Sequence, residues 1–95
     1  MELENLINFI KKRGINDTFH ILSQFDNYKT EKRTFYEELN KFSYYNSFLR
    51  VKDKLLEKKL INFEKNDGKT YITLTDKGKT VLDKLLEIND LIKVN

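Results

Sequence analysis

"LINFEKNDGKTYITLTDKGKTVL", Leu60 to Leu82, holds the change of periodicity on which the reading of this chain turns. Apolar and polar residues alternate from Leu60 to Glu64 and again from Tyr71 to Leu74, the period of half-buried strands. Between them "NDG", at Asn66 to Gly68, is a strong hairpin signal. From Val81 onward the apolar residues recur at helical spacing instead. Thr75 or Asp76 is placed to cap the first free N–H groups of that helix, and Gly78 keeps its first turn slim. Two antiparallel strands therefore run directly into a helix.

Upstream, the pattern is helical. Leu3, Leu6, Ile7 and Ile10 share one face of a first helix, for which Gly14 is the expected stop. Ile15, Phe19, Leu22 and Phe25 form the stripe of a second, with Asn16 or Asp17 as its N-cap. "DNYKTEKRT", Asp26 to Thr34, reads as a polar loop with room for a short strand around Lys32 to Thr34, and Thr34 is a further possible cap. Phe35, Leu39 and Phe42 make a short third helix. Ser43 then caps a fourth, with Tyr44, Phe48, Val51 and Leu55 inward and Tyr45, Asn46, Leu49, Arg50 and Asp53 outward. The expected organisation is one α+β, mostly helical domain over residues 1–95. It has an N-terminal helix (1–13), a three-helix core (15–61), a two-stranded hairpin (60–74) and a C-terminal helix (75–93).

Composition narrows the chemistry. Ninety-five residues suffice for one modest core, and twelve Phe and Tyr argue against disorder. With no Cys and one His, His20, disulfides, thiolate catalysis and a multi-histidine metal centre within one chain are excluded. His20, next to Phe19, reads as a structural or surface residue. Glu37 and Glu38 are sequence neighbours on different parts of a helix surface and make no acid/base pair. There is no phosphate-binding glycine loop and no nucleophile elbow. Neither a catalytic residue nor a cofactor is expected. No apolar run approaches the roughly 20 residues needed to span a bilayer, so no membrane role and a cytoplasmic location are expected. The abundance of Lys, Asn, Ile, Phe and Tyr, with no Ala, Pro or Trp, suits an AT-rich microbial, archaeal or viral genome.

Charge is uneven along the chain. Residues 1–42 carry seven basic and seven acidic side chains; residues 43–79 carry nine against five; residues 80–95 carry two against three. The excess of four in the middle segment suggests a polyanion-facing surface, the alternative on charge alone being the solvated Lys-rich face of an ordinary small protein.

A short helix, a tight turn opening on Ser43 and a longer helix make a helix-turn-helix, and the hairpin behind it, flanked at its tip by Lys65 and Lys69, has the form of a wing. The chain resembles the winged helix-turn-helix superfamily, particularly small archaeal and bacterial transcriptional regulators of the MarR and PadR kind. The resemblance rests on "FHILSQF" (Phe19 to Phe25), "TFYEELNKF" (Thr34 to Phe42), "SYYNSFLRVKDKLLEKKLI" (Ser43 to Ile61) and "NDGKTYITLTDKGKTVL" (Asn66 to Leu82), the last containing a Leu-Thr-x-x-Gly junction. Where such proteins often have Gly before the Leu-Ile that ends the recognition helix, this chain has Lys59.

The resemblance implies a homodimer that binds double-stranded DNA and regulates transcription, on an inverted-repeat operator. Base contacts fall to Tyr44, Tyr45, Asn46, Leu49 and Arg50, with Arg50 suited to guanine and Asn46 to adenine. Ser43 and the free N–H groups at that helix start would hold a phosphate. Lys52, Lys54, Lys65 and Lys69 are the backbone contacts, followed by Lys32 and Arg33. The stripe Val81, Leu85, Ile88 and Ile92, widened by Leu82, Leu86 and Leu91, exceeds what a small core needs. With Leu3, Leu6 and Ile10 it is the expected dimer interface, the monomeric alternative being that the terminal helices pack on each other. The rival function is a winged-helix module for protein interaction or assembly. A regulator with a small-molecule effector is also compatible with the fold, although no residue marks its pocket.

Overall fold

The computed structural model describes residues 2–42 and 45–93, and the side chains of residues 7–41 and 46–93. Among these residues the order is α1 (Glu2–Lys11), α2 (Arg13–Leu22), a single 3-10 turn (Asp26–Tyr28), β1 (Lys29–Glu31), α3 (Lys32–Phe42), α4 (Tyr45–Glu57), β2 (Ile61–Asn66), β3 (Lys69–Leu74) and α5 (Asp76–Lys93). The strands form one antiparallel sheet in the order β1-β3-β2. This small, mostly helical α+β arrangement with a projecting hairpin is compatible with a winged-helix shape. The expected cap Ser43 and the expected core residue Tyr44 lie outside the described residues, as do the side chains of Phe42 and Tyr45.

The core is built where the apolar periodicities meet. Ile15, Phe19 and Leu22 of α2, Phe35 and Leu39 of α3, and Phe48, Val51 and Leu55 of α4 are buried together with Ile72 and Leu74 of β3. Phe35 and Phe48 meet edge to face, with ring centroids 4.9 Å apart, a geometry favoured by the ring quadrupoles. Pairing sets Ile61 opposite Leu74 and Phe63 opposite Ile72. Strand alternation then puts all four on the helix side of the sheet. The hairpin turns through Asp67 and Gly68, both at positive φ (52° and 77°), as a type I′ turn requires.

Three expectations are corrected. Gly14 does not stop α1: the chain breaks at Lys12, which is extended (φ −75°, ψ 120°), and Gly14 is buried in the first turn of α2. A Cβ there would collide with the Ser47 carbonyl of α4, so Gly14 permits a close helix crossing. Neither Asn16 nor Asp17 caps α2. Asn16 Nδ2 instead donates to the Ile10 carbonyl at 3.0 Å and closes the end of α1, while Asp17 lies 3.6 Å from Arg13 Nε.

The third correction concerns the loop. Its strand is Lys29–Glu31, not 32–34, and it adds a third strand to the expected two-stranded hairpin. Thr30, buried, pairs with Ile72, a register that leaves Lys32 to Thr34 to form the first turn of α3. Thr34 is therefore inside that helix rather than capping it.

The turn after α4 shows what Lys59 does. It adopts φ 60°, the left-handed conformation that Gly favours, while Leu60 N–H donates to the Leu55 carbonyl (2.9 Å) and Lys59 N–H to that of Leu56 (3.0 Å). This is a Schellman ending, completed by apolar contact between buried Leu55 and Leu60. Thr75 then joins the two halves of the motif. Its Oγ1 accepts from Gly78 N–H (3.0 Å), capping α5, and donates to the Lys59 carbonyl (2.6 Å). Gly78 is buried, and a Cβ on it would strike the Leu60 carbonyl.

Replacing Lys59 by Gly relieves a left-handed residue that costs about 1–2 kcal/mol, less the entropy Gly adds to the unfolded chain. Lys59→Gly is expected to raise stability by about 1 kcal/mol, read as a higher urea midpoint at unchanged m-value. Gly78→Ala is expected to lower it by about 1–3 kcal/mol through overpacking against backbone. A midpoint that moves the other way in either variant contradicts this account of the turn.

Candidate nucleic-acid interface

Burial of Phe48, Val51 and Leu55 turns the opposite face of α4 outward. Asn46, Leu49, Arg50 and Asp53 are exposed there, as is Lys54 on a flank. Leu49 is 40% exposed, a large apolar side chain among polar ones and of the kind that can meet a thymine methyl. Of the other expected base contacts, Ser43 and Tyr44 lie outside the described residues, and so does the side chain of Tyr45, although its backbone opens α4.

Beside this face stands the hairpin, joined to it through Phe63 of β2. Lys52 of α4 places its Nζ 5.6 Å from the Phe63 ring centroid, and Lys32, at the start of α3, lies 5.9 Å from the same ring and 5.8 Å from that of Tyr36. Phe63 is half-buried, and both ammonium groups lie over its ring within cation–π range. Lys65, two residues farther along β2, is exposed on the same side of the strand. Sequence reasoning did not single out Phe63, although the alternation Ile61, Phe63, Lys65 contains the signal.

The outer side of the sheet is different. Lys69 Nζ lies 3.2 Å from Glu31 Oε1, and Lys29 Nζ 3.0 Å from Glu64 Oε2, with Lys29 also 5.2 Å from the Tyr71 ring. The hydrogen bond to Glu31, and then its charge, hold the Lys69 ammonium above the ordinary lysine value. A raised lysine is fully charged below its unfolded value, so the pair is complete at neutral pH and is lost only as pH rises through the raised value. Lys69, expected at the wing as a phosphate contact, is thus paired within the sheet. A cleft of about 620 Å³ opens beside this pair, between the hairpin and the outward stripe Arg33, Tyr36, Glu37 and Asn40 of α3.

A second surface involves the terminal helices. Val81, Leu82 and Leu85 of α5 are half-buried against the core, whereas Leu86 (51% exposed), Ile88 (43%), Leu91 (76%) and Ile92 (76%) are not covered. Ile7 and Ile10 of α1 are exposed as well; the side chains of Leu3 and Leu6 lie outside the described residues. Ile10, Phe19, Leu82, Leu85 and Ile88 line a groove of about 410 Å³ between α1–α2 and α5. His20 sits on its rim, its Nε2 3.0 Å from Gln24 Nε2.

Among the described residues no group of three or more His, Asp or Glu is placed to hold a metal ion, and no helix is long and apolar enough to cross a membrane. The chain matches no known family model, no curated protein and no solved structure.

Because Lys69 is solvent-exposed, screening leaves the Lys69–Glu31 pair little net stabilisation. Glu31→Gln is expected to leave the urea midpoint close to that of the wild type. A large drop in the midpoint would make the pair a structural clamp instead.

Proposed function

We propose that the chain is a winged helix-turn-helix protein that binds double-stranded DNA sequence-specifically as a homodimer and regulates transcription. In this reading α4 enters the major groove and the β2–β3 hairpin is the wing on the adjoining backbone or minor groove. The observation that supports it most is the junction of α4 and wing at Phe63, where Lys32 and Lys52 gather beside an outward face bearing Asn46, Leu49 and Arg50. Guanidinium and amide side chains have base-edge chemistry, and ammonium groups have phosphate chemistry. The basic excess of residues 43–79 supplies the accompanying field.

The dimeric part of the proposal comes from α5. Its uncovered apolar end and exposed Ile7 and Ile10 ask for a second surface, and burying apolar area at about 25 cal/mol per Å² gives association free energy. A two-fold axis would present paired recognition helices to an inverted repeat with half-sites about 10 base pairs, or a multiple, apart. The rival reading, a protein-interaction module, is favoured by exposed Leu49 and by the cancelled charge on the outer sheet.

A salt titration of binding to random duplex DNA separates the two. The DNA-binding reading expects measurable binding at low salt, with log K falling linearly against log salt. Binding that is absent at low salt would favour the interaction module. On a preferred site, Arg50→Ala is expected to cost about 1–3 kcal/mol and to relax discrimination at one position; a loss equal on all sequences contradicts base reading.

For the dimer, Ile88→Glu with Ile92→Glu is the informative variant, because both side chains are exposed and the fold should survive. Wild type is expected to sediment as a dimer at micromolar concentration and this variant as a folded 11.4 kDa monomer with weakened DNA binding. A monomeric wild type refutes the proposal.

A further inference from the structure

The two sides of the hairpin differ in how their cations are partnered. On the outer side, Lys29 and Lys69 are each held by a carboxylate, Glu64 and Glu31, so that four formal charges sum to zero. A phosphate arriving there must displace an attached carboxylate before it gains a lysine. On the helix side, Lys32, Lys52 and Lys65 make no ion pair among the described residues. They come from three separate elements, α3, α4 and β2: Lys32 and Lys52 meet at the half-buried Phe63 ring, and Lys65 lies two residues farther along β2 on the same side of the strand.

We infer that the helix-facing side of the hairpin, and not its outer side, grips the DNA sugar–phosphate backbone, through Lys32 and Lys52 at Phe63 and Lys65 farther along the same side of β2. The inference rests on the DNA-binding reading and specifies which surface of the wing performs it. The Lys32 and Lys52 ammonium groups are at most the sum of their two distances to the Phe63 centroid apart, 5.9 and 5.6 Å. That span fits a few successive phosphates of one strand, which rises about 3.4 Å per charge. Contact of their ammonium groups with the ring restricts the rotamers of Lys32 and Lys52 that would otherwise be lost on binding, so these two cations are held ready for the backbone. Phe63 itself offers an apolar surface to the deoxyribose. Lys69 is then a residue of sheet structure, its charge directed at Glu31.

The full-length chain tests this on random duplex DNA, through the slope of log K against log salt. Lys32→Met, Lys52→Met and Lys65→Met keep most of the hydrocarbon stem and remove the charge. Each is expected to flatten the slope by about one unit while leaving the urea midpoint nearly unchanged. The corresponding Arg variants are expected to keep the wild-type slope. The exchange Glu31→Lys with Lys69→Glu preserves the outer pair and should leave the slope as it was. Wild-type slopes in the three Met variants, or a loss in the exchange variant as large as theirs, would overturn the inference while leaving DNA binding intact. A wild-type chain that binds no duplex at low salt would refute the functional reading and the inference with it.

Discussion

Thr75 holds together the parts on which the rest of this molecule depends. One hydroxyl accepts from Gly78 N–H and donates to the Lys59 carbonyl, while Thr75 N–H donates to the Leu60 carbonyl at 3.0 Å. The end of α4, the start of β2, the end of β3 and the start of α5 thereby meet at one point. Lys77 adds a bond from its Nζ to the Lys58 carbonyl at 2.9 Å. Orphan carbonyls at the end of one helix are thus satisfied by the start of another. The same point anchors strand register, because Ile61 and Leu74 face each other beside it. A slip of one residue would turn Ile61, Ile72 and Leu74 away from the core.

Much of this was readable in the sequence, for a physical reason. A period of two, a type I′ turn sequence and a threonine three residues before a glycine are local signals, set by adjacent residues and their own backbone preferences. The core faces of α2, α3 and α4 followed from the 3.6-residue period in the same way. What the sequence did not reveal depends on distant residues. Gly14 has the composition of a helix stop, and only the approach of Ser47 makes it a contact point. β1 is three residues long, too short for alternation to be visible, and exists because β3 offers it a partner. Lys59 shows the reverse case, a residue without glycine's freedom placed where left-handed backbone is required.

The candidate interface was legible in part for the same reason. The outward face of α4 is the complement of its buried stripe, so Asn46, Leu49 and Arg50 could be placed from periodicity alone. The pairing of Lys69 with Glu31 could not, because it joins β3 to a strand 38 positions earlier in the chain. Neither could the gathering of Lys32 and Lys52 on Phe63, which needs α3, α4 and β2 in their folded arrangement. Counting cations located the basic segment. It could not say which of them have carboxylates attached.

That distinction governs how a charged hairpin can act. The strands on each side of the turn have six residues, so at about 3.3 Å per residue the hairpin extends about 20 Å. Half a turn of duplex is about 17 Å, so under the DNA-binding reading the hairpin is long enough to reach from a major-groove helix to the neighbouring groove. Length alone gives reach without direction. Direction comes from the short turn between α4 and β2, which Thr75 holds closed, and from Phe63, against which a lysine of α4 and one of α3 both rest. A hairpin tethered at its base and braced on its helix side has one side against the helices and one toward open solvent. Since the open side carries cations already matched by Glu31 and Glu64, the lysines of this region without an attached carboxylate lie in the angle between hairpin and helix, and under the DNA-binding reading that angle is where a duplex backbone would be met.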